Sequence, residues 1–341
     1  MQIDHLYQRL FDAGAKPGHA ECILRSWLMA RPLAMTARKS GRFPDSVVQA
    51  LPEIAGEWAR LARVSSDHPA ADGSARLLVE LTDGQMVESV LLPRDGVCVS
   101  TQVGCAVGCA FCMTGKSGLL RQLGSAEIVA QVVLARAQRP VKKVVFMGMG
   151  EPAHNLDNVL DAIELLGNEG GIGHKNLVFS TVGDSRVFER LPQRRVKPAL
   201  ALSLHTLDRD LREQLLPKAP RIDPQELIAQ GEAYARSVGY PIQYQWTLLE
   251  GINDSDEEAD RLGEALAGKY AMMNYIPFNP VEGSAFRRPA PERLLSLIQR
   301  LRRRGIVACL RDSAGQDVDG GCGQLRARAV SVTPVTRATR P

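Results

Sequence analysis

Cys105, Cys109 and Cys112 fall within the short stretch VGCAVGCAFCMTG. Three thiolates at this CxxxCxxC spacing suit three irons of a 4Fe-4S cluster and leave the fourth iron without a protein ligand. An electron-transfer cluster normally takes four cysteines, whereas an open iron can bind the amino and carboxylate groups of a small molecule. A zinc site is the competing reading, but it needs a fourth ligand and is commonly built from separated ligand pairs. With Cys22, Cys98, Cys309 and Cys322 the chain has seven cysteines, an odd and unevenly crowded set that excludes a secreted disulfide framework.

Two of the remaining cysteines stand apart. Cys98 closely precedes the cluster loop, and Cys322 lies in the glycine-rich run GQDVDGGCGQL. A lone cysteine is usually a small buried apolar residue, the reading given to Cys22 and Cys309. Glycines at 320, 321 and 323 predict a mobile, accessible loop with little to pack against, which suits a sulfur that must reach a substrate.

The elements that must position these groups read as an α/β fold. From residue 97 onward short β-rich runs alternate with helical stretches: VCVST, KKVVFMG, NLVFST, PALALSL, IQYQWTLL, MMNYIPF and GIVACLR. Strand then helix, repeated, implies a parallel sheet and a partial or full (β/α) barrel, whose active residues gather at the carboxyl ends of strands. The polar and glycine-rich oddities do follow strands: Cys105, the run Gly148-Met149-Gly150-Glu151-Pro152, Ser180 to Gly183, His205 and Asn279. GSAEIVAQVVLARAQ fits the first crossover helix, with Ser125 as its N-cap and Glu127 in its positive first turn.

Residues 1–70 read as a mainly helical N-terminal domain, with a Pro/Arg-rich interruption around Arg31 to Arg42. Residues 71–96 read as a β-hairpin turning at Asp83-Gly84, residues 97–330 as the barrel with the Cys322 loop, and residues 331–341 as a basic tail. No run of 18 apolar residues or leader pattern occurs, so a cytoplasmic protein with reduced thiols, no membrane contact and a monomeric state is expected. Net charge is only +4, with arginines concentrated at Arg300, Arg302, Arg303 and Arg304 and again at Arg326, Arg328, Arg337 and Arg340. Such a run is either a solvated helix face or a phosphate-binding surface.

CxxxCxxC with Phe111 before the last cysteine resembles the radical S-adenosylmethionine superfamily. CVSTQVGCAVGCAFCMTGKSG, MGMGEPAHNLDNV, ALSLHTLDRDLREQLLP, LLEGINDS, YIPFNP and GQDVDGGCGQL occur in the order seen in the RlmN/Cfr family of RNA methyltransferases. The resemblance runs from about Asp83 to Leu325, and it implies a 4Fe-4S cluster on Cys105, Cys109 and Cys112. It also implies S-adenosylmethionine contacts at Gly150, Glu151, Ser180, Ser203, Leu204, His205 and Asn279. Cys322 would carry a methyl group as S-methylcysteine, and a 5'-deoxyadenosyl radical would activate that methyl for addition to an adenine carbon. Cys98 would be the resolving thiol, and Glu88 would accept the proton lost from the adenine. Outside the resemblance, Glu88 reads as an outward carboxylate of an alternating strand.

The implied substrate is an unpaired or flipped adenine of ribosomal or transfer RNA, methylated at C2 or, in the variant branch, at C8. A reducing electron donor is implied as well. The N-terminal domain and the basic C-terminal segment are the candidate RNA contacts. Departures from the family pattern occur at Val182, in the strand QYQWTLLEG, and in the short link from Glu88 to Cys98. Two other readings remain: radical chemistry on a non-RNA substrate, which would not need both Cys98 and Cys322, and a non-catalytic RNA-binding or ribosome-assembly factor with a structural cluster.

Overall fold

The computed structural model describes residues 1–34 and 43–327. The basic tail, with Arg328, Arg337 and Arg340, and most of the Pro/Arg-rich interruption lie outside the described residues. One sheet of ten strands organises the molecule. β1 (Ala62–Pro69), β2 (Ala75–Leu81), β3 (Met86–Leu92) and β4 (Gly96–Cys98) form an antiparallel apron. β7 (Lys143–Phe146), β8 (Leu177–Thr181), β9 (Ala199–Ser203), β10 (Ile242–Leu248), β11 (Ala271–Pro277) and β12 (Val307–Leu310) follow, all parallel to β4 and in chain order. The seven strands expected from the β-rich runs are the parallel strands. No pairing joins β12 to the opposite edge among the described residues, so the barrel is partial.

Side-chain alternation gives the sheet two faces. Leu177, Phe179, Leu200 and Leu202 point into the core shared with the helices, whereas Val145, Val178, Ala199 and Ala201 form a separate cluster on the other, concave face. Ser180 and Ser203 lie two residues beyond members of that inner cluster, so the pleat alone aims them inward. The sheet is curved enough for Arg311, just past β12, to donate to Gln245 Oε1 of β10 at 3.2 Å and to approach Met147 Sδ, just past β7, at 3.9 Å.

Crossover helices α4 (Ser125–Gln138), α5 (Leu156–Asn168), α6 (Ser185–Arg190), α7 (Arg209–Leu215), α8 (Pro224–Val238), α9 (Asp256–Leu266) and α10 (Pro291–Arg303) connect the parallel strands. α4 is capped one residue earlier than expected. Gly124 is the N-cap, its N–H donating to Glu127 Oε2 at 2.7 Å, while Ser125 Oγ accepts from Ile3 N at 2.9 Å. Ser125 is therefore the tether of the chain's start to the barrel.

The N-terminal region consists of α1 (Ile3–Asp12), α2 (Pro17–Leu28) and α3 (Asp45–Ala59), with Trp27 and Trp58 meeting edge to face at 5.3 Å. Its apolar residues, Leu6, Leu24 and Trp58 among them, belong to the same continuous core as β8 and α5. The helical reading of residues 1–70 stops too late, because residues 62–69 are strand β1. Their alternating half-buried pattern, polar on one side, hid a strand that pairs with β2 as a hairpin. The turn at Asp83-Gly84 stands as expected, with Gly84 at φ 78°.

The arginine run of α10 faces α9. Arg300 Nε bonds Asp260 at 2.9 Å, Arg304 Nη2 bonds the same carboxylate at 2.8 Å, and Arg293 bonds Asp256 at 2.6 Å. Two of the run's four arginines, Arg300 and Arg304, are thus paired with carboxylates of α9, while Arg302 bonds Ala308 O.

Candidate active site

The cluster loop hangs from a two-stranded ribbon, β5 (Gln102–Gly104) and β6 (Leu119–Gln122), that stands beyond β4. Gly104 has φ 79°, and a Cβ there would sit 2.0 Å from Gly118 O, so only glycine permits the ribbon to close behind Cys105. Gly115 makes a similar approach to Gly108, and Cys112 N bonds Cys109 O at 3.0 Å. The three thiols are buried or half-buried. Burial pushes Cys105 up to about 12 and raises Cys109 and Cys112 as well, so without metal they are neutral thiols and binding iron displaces their protons. Among the described residues no three His, Cys, Asp or Glu side chains converge on one ion.

Cys105, Cys109 and Cys112 line one end of a cavity of about 440 Å³ at the carboxyl ends of the strands. Gly150, Glu151, Ser180, Ser203, His205, Cys98 and Cys322 line the same cavity. Gly150 has φ 106°, and a Cβ there would meet the Gln102 side chain at 2.7 Å. Glu151 is buried, accepts from Ala153 N and Val182 N at 3.0 Å each, and is pushed by burial to about 7. A carboxylate poised this way gains its full charge when a cation arrives, as the amino group of a ligand would be. Ser180 is not a helix cap, because Asp184 caps α6, and its hydroxyl remains at the cavity wall.

His205 sits at φ 64°, a strained conformation for a side-chain residue. Its Nδ1 accepts from Thr247 N at 2.9 Å, which leaves the proton on Nε2, and its ring meets Phe111 edge to face at 4.9 Å. Burial and the nearby Arg212 drop it to about 3, so it is neutral. Asn279 donates to Ser313 Oγ and to Cys322 O at 2.9 Å each, while its buried Oδ1 has no partner. Leu204 is in the core with its N–H committed to Gln245 O, so its side chain does not reach the cavity. The donor set therefore fits the cluster and cofactor: three thiols, a buried carboxylate and two hydroxyls line one space, while Asn279, with its orphaned amide oxygen, is not among the lining residues.

Cys98 closes β4, and Cys322 approaches from the C-terminal loop, which lies against the cluster loop. Burial pushes Cys98 up to about 12, Cys322 adds to this, and Arg311 opposes it. All seven cysteines are free thiols. The expectation of little packing around Cys322 is overturned. Gly320 and Gly321 are buried, Met113 N bonds Gly323 O at 2.7 Å, and Gly321 N bonds Gln324 Oε1 at 2.9 Å. Glycine serves here to let the loop lie against the cluster loop, since a Cβ on Gly323 would stand 2.9 Å from Phe111 O.

Glu88 is neither outward-facing nor among the residues that line the cavity. It is buried, paired with Arg76, and bonded through Oε2 to Arg326 N at 2.7 Å and Ala327 N at 3.0 Å. Residues not singled out from the sequence also enter the site: Arg311, Gln245 and Thr247 line it, and the buried Arg212 donates to Val182 O beside it. Arg311 directly follows a strand, the signal that found Ser180 and Asn279. Arg212 lies within a helix and carries no such mark.

An open barrel with a three-cysteine loop and a cavity at its strand ends is the architecture of an enzyme that would hold an iron-sulfur cluster beside a small-molecule cofactor. Residues 99–263 match the family model of the Radical SAM superfamily. The chain is 67% identical over 342 residues to a probable RNA methyltransferase of Thiobacillus denitrificans, covering 100% of this chain and 94% of that one. A probable RNA methyltransferase of Pseudomonas aeruginosa is 66% identical, with 99% and 98% covered. The crystal structure of a radical SAM methyltransferase from Sphaerobacter thermophilus matches with a TM-score of 0.82 at 34% identity, covering 96% of this chain and 98% of that one. The chain belongs to the radical SAM superfamily and, within it, to the methyltransferase family of these relatives.

Proposed function

We propose that the chain is an RlmN/Cfr-type RNA methyltransferase that adds a methyl group to an adenine carbon, C2, in ribosomal or transfer RNA. One observation carries the reading: two thiols outside the cluster motif, Cys98 and Cys322, line the same cavity as the three cluster cysteines. A radical enzyme acting on a non-RNA substrate has no need of that pair, and a structural cluster has no need of the cavity. The relatives named as probable RNA methyltransferases support RNA as the substrate class.

Cys105, Cys109 and Cys112 would hold the cluster, and Glu151, Ser180, Ser203, His205 and Asn279 would hold S-adenosylmethionine. When bound, these groups supply a radical able to take hydrogen from a sulfur-bound methyl. The chain's own residues set what happens next. Cys322 carries the methyl carbon to the adenine, a carbon that is not nucleophilic and so escapes ordinary polar methyl transfer. The adduct then gives up the C2 hydrogen as a proton and one electron, which returns to the redox partner that supplied it. Cys98 as thiolate attacks the Cys322 sulfur, the electron pair of the broken sulfur–carbon bond goes to the transferred carbon, that carbon takes up a proton to become the methyl group, and a Cys98–Cys322 disulfide is left. Two electrons and two protons from a reductant reopen it. Arg311 favours the thiolate of Cys98 that this attack requires. The target base must be unpaired or flipped to enter the cavity.

The test is peptide mass spectrometry of protein purified without oxygen, together with modified-adenosine profiles of ribosomal and transfer RNA from cells with and without the gene. S-methylation on Cys322 and loss of one C-methyladenosine in the deletion are expected. An unmethylated Cys322 after exposure to S-adenosylmethionine sinks the carrier role, and identical profiles in both RNA classes sink the substrate.

A further inference from the structure

Glu88 is fully occupied in a way that the carrier chemistry does not explain. Arg76 on β2 and Glu88 on β3 are diagonal neighbours on one face of the apron, since Leu78 is paired with Glu88 and Arg76 lies two residues before it. Both side chains are 2% exposed, and they form an ion pair. Burying an ion pair is costly unless the remaining donors and acceptors are satisfied. Here they are satisfied by one segment. Arg76 Nε donates to Val318 O at 2.5 Å, and Glu88 Oε2 accepts from Arg326 N at 2.7 Å and Ala327 N at 3.0 Å. Those contacts bracket Cys322 on both sides.

We propose that the Arg76–Glu88 pair is the mount of the Cys322 loop, so that both are positioning residues which aim the sulfur carrier into the cavity. The proposal rests on reading Cys322 as the carrier. The geometry is that of a clamp with several jaws. Ahead of Cys322, Gly315 N and Asp317 bond across to Asp72 and Ala71 in the β1–β2 turn, at 3.0 Å each. Behind it, Thr114 Oγ1 of the cluster loop donates to Leu325 O at 2.7 Å. The ion pair alone grips both arms of the loop, and it does so with charge-assisted bonds, which are shorter and stronger than neutral ones. An apolar pair of the same volume would fill the same space without fixing the loop's register. With both oxygens of Glu88 committed, its contribution in this arrangement is placement.

The test compares Glu88→Gln, Arg76→Gln, Arg76→Lys and the double variant Arg76→Met/Glu88→Met in the full chain with its cluster. The last fills the site with apolar groups and keeps the fold testable should the single variants collapse. Hydrogen exchange without RNA should speed up by about tenfold or more across residues 318–327 in the Gln and Met variants, as expected for losing a charge-assisted hydrogen bond. Cluster absorbance should persist, and more S-adenosylmethionine should be cleaved per methyl delivered to RNA. Arg76→Lys should recover part of both, because lysine keeps the charge and loses the fork. Unchanged exchange in 318–327 overturns the proposal. So does Glu88→Gln alone accumulating a covalent RNA adduct while Arg76→Gln behaves as wild type, which marks Glu88 as the proton acceptor. Wild-type protein that methylates no RNA would sink the proposed function and leave the exchange result standing.

Discussion

The two loops that meet in the cavity are built in opposite ways. The cluster loop closes on itself: Gly104 lies against Gly118, Gly108 against Gly115, and Cys112 N bonds Cys109 O. The Cys322 loop is held by partners far away in sequence, with Leu325 bonded to Thr114 across 211 positions and Val318 to Arg76 across 242. A local loop forms as soon as its ribbon pairs. A loop held from afar exists only when the whole sheet is in place, since the entropy of closing it must be met by contacts formed elsewhere. The radical-generating end therefore has local closures of its own in addition to its ties to Leu215 and to the Cys322 loop, whereas the carrier end depends on the complete fold.

The largest effect should come from exchanging the two kinds of cysteine. Cys112→Ala should abolish the cluster's absorbance and all cleavage of S-adenosylmethionine. Cys322→Ala should keep the cluster and lose methyl transfer to RNA by a factor on the order of a thousand or more, the scale seen when an essential nucleophile is removed. If Cys322→Ala also loses the cluster, the two ends are not separable as described.

Glycine substitutions sharpen the contrast. In Gly104→Ala the new Cβ strikes backbone at 2.0 Å from a positive φ, so urea denaturation should show a loss of roughly 3 kcal/mol or more. In Gly321→Ala the nearest atoms are side-chain ends, Gln324 Oε1 at 2.6 Å and Asn279 Nδ2 at 2.9 Å, which can shift. There the loss should be nearer about 1 kcal/mol. Equal losses would mean that the carrier loop is as rigidly enclosed as the cluster loop.

A pH slope at the cluster end gives a further contrast. Glu151 holds its proton up to about 7 in the fold, against an ordinary value of 4.5. Between those values the native state binds a proton that the unfolded state has released. Stability of ligand-free protein therefore falls as pH rises through that window, by at most about 3 kcal/mol, and flattens above it. Glu151→Gln should remove this slope in denaturation curves from pH 4.5 to 8. A slope that persists unchanged places the buried charge elsewhere.

How much of the site was readable follows the same division. Cys105, Cys109 and Cys112 declare themselves by spacing, and Ser180, His205 and Asn279 by their places at strand ends, whereas Ser203 came from the resemblance. Cys98 and Cys322 needed the resemblance to be paired at all. Arg311 carried the strand-end signal and was passed over, and the use of Glu88 was invisible because its partners, Arg76 and the adjacent Arg326 and Ala327, come from two stretches of chain far apart in sequence. β1 was missed for a related reason: its polar alternation reads as surface until β2 pairs with it.

The sequence by itself determined the strand order, the cluster loop and the class of chemistry, because period-two patterning, glycine punctuation and cysteine spacing act over short range. Tertiary structure decided that the barrel stays open, that Arg293, Arg300 and Arg304 are paired with carboxylates of α9, and that Cys322 is clamped over the cavity. Those outcomes depend on which surfaces meet when the sheet curves. A buried ion pair between β2 and β3 is set only by that meeting, and it holds the loop on which the proposed chemistry turns.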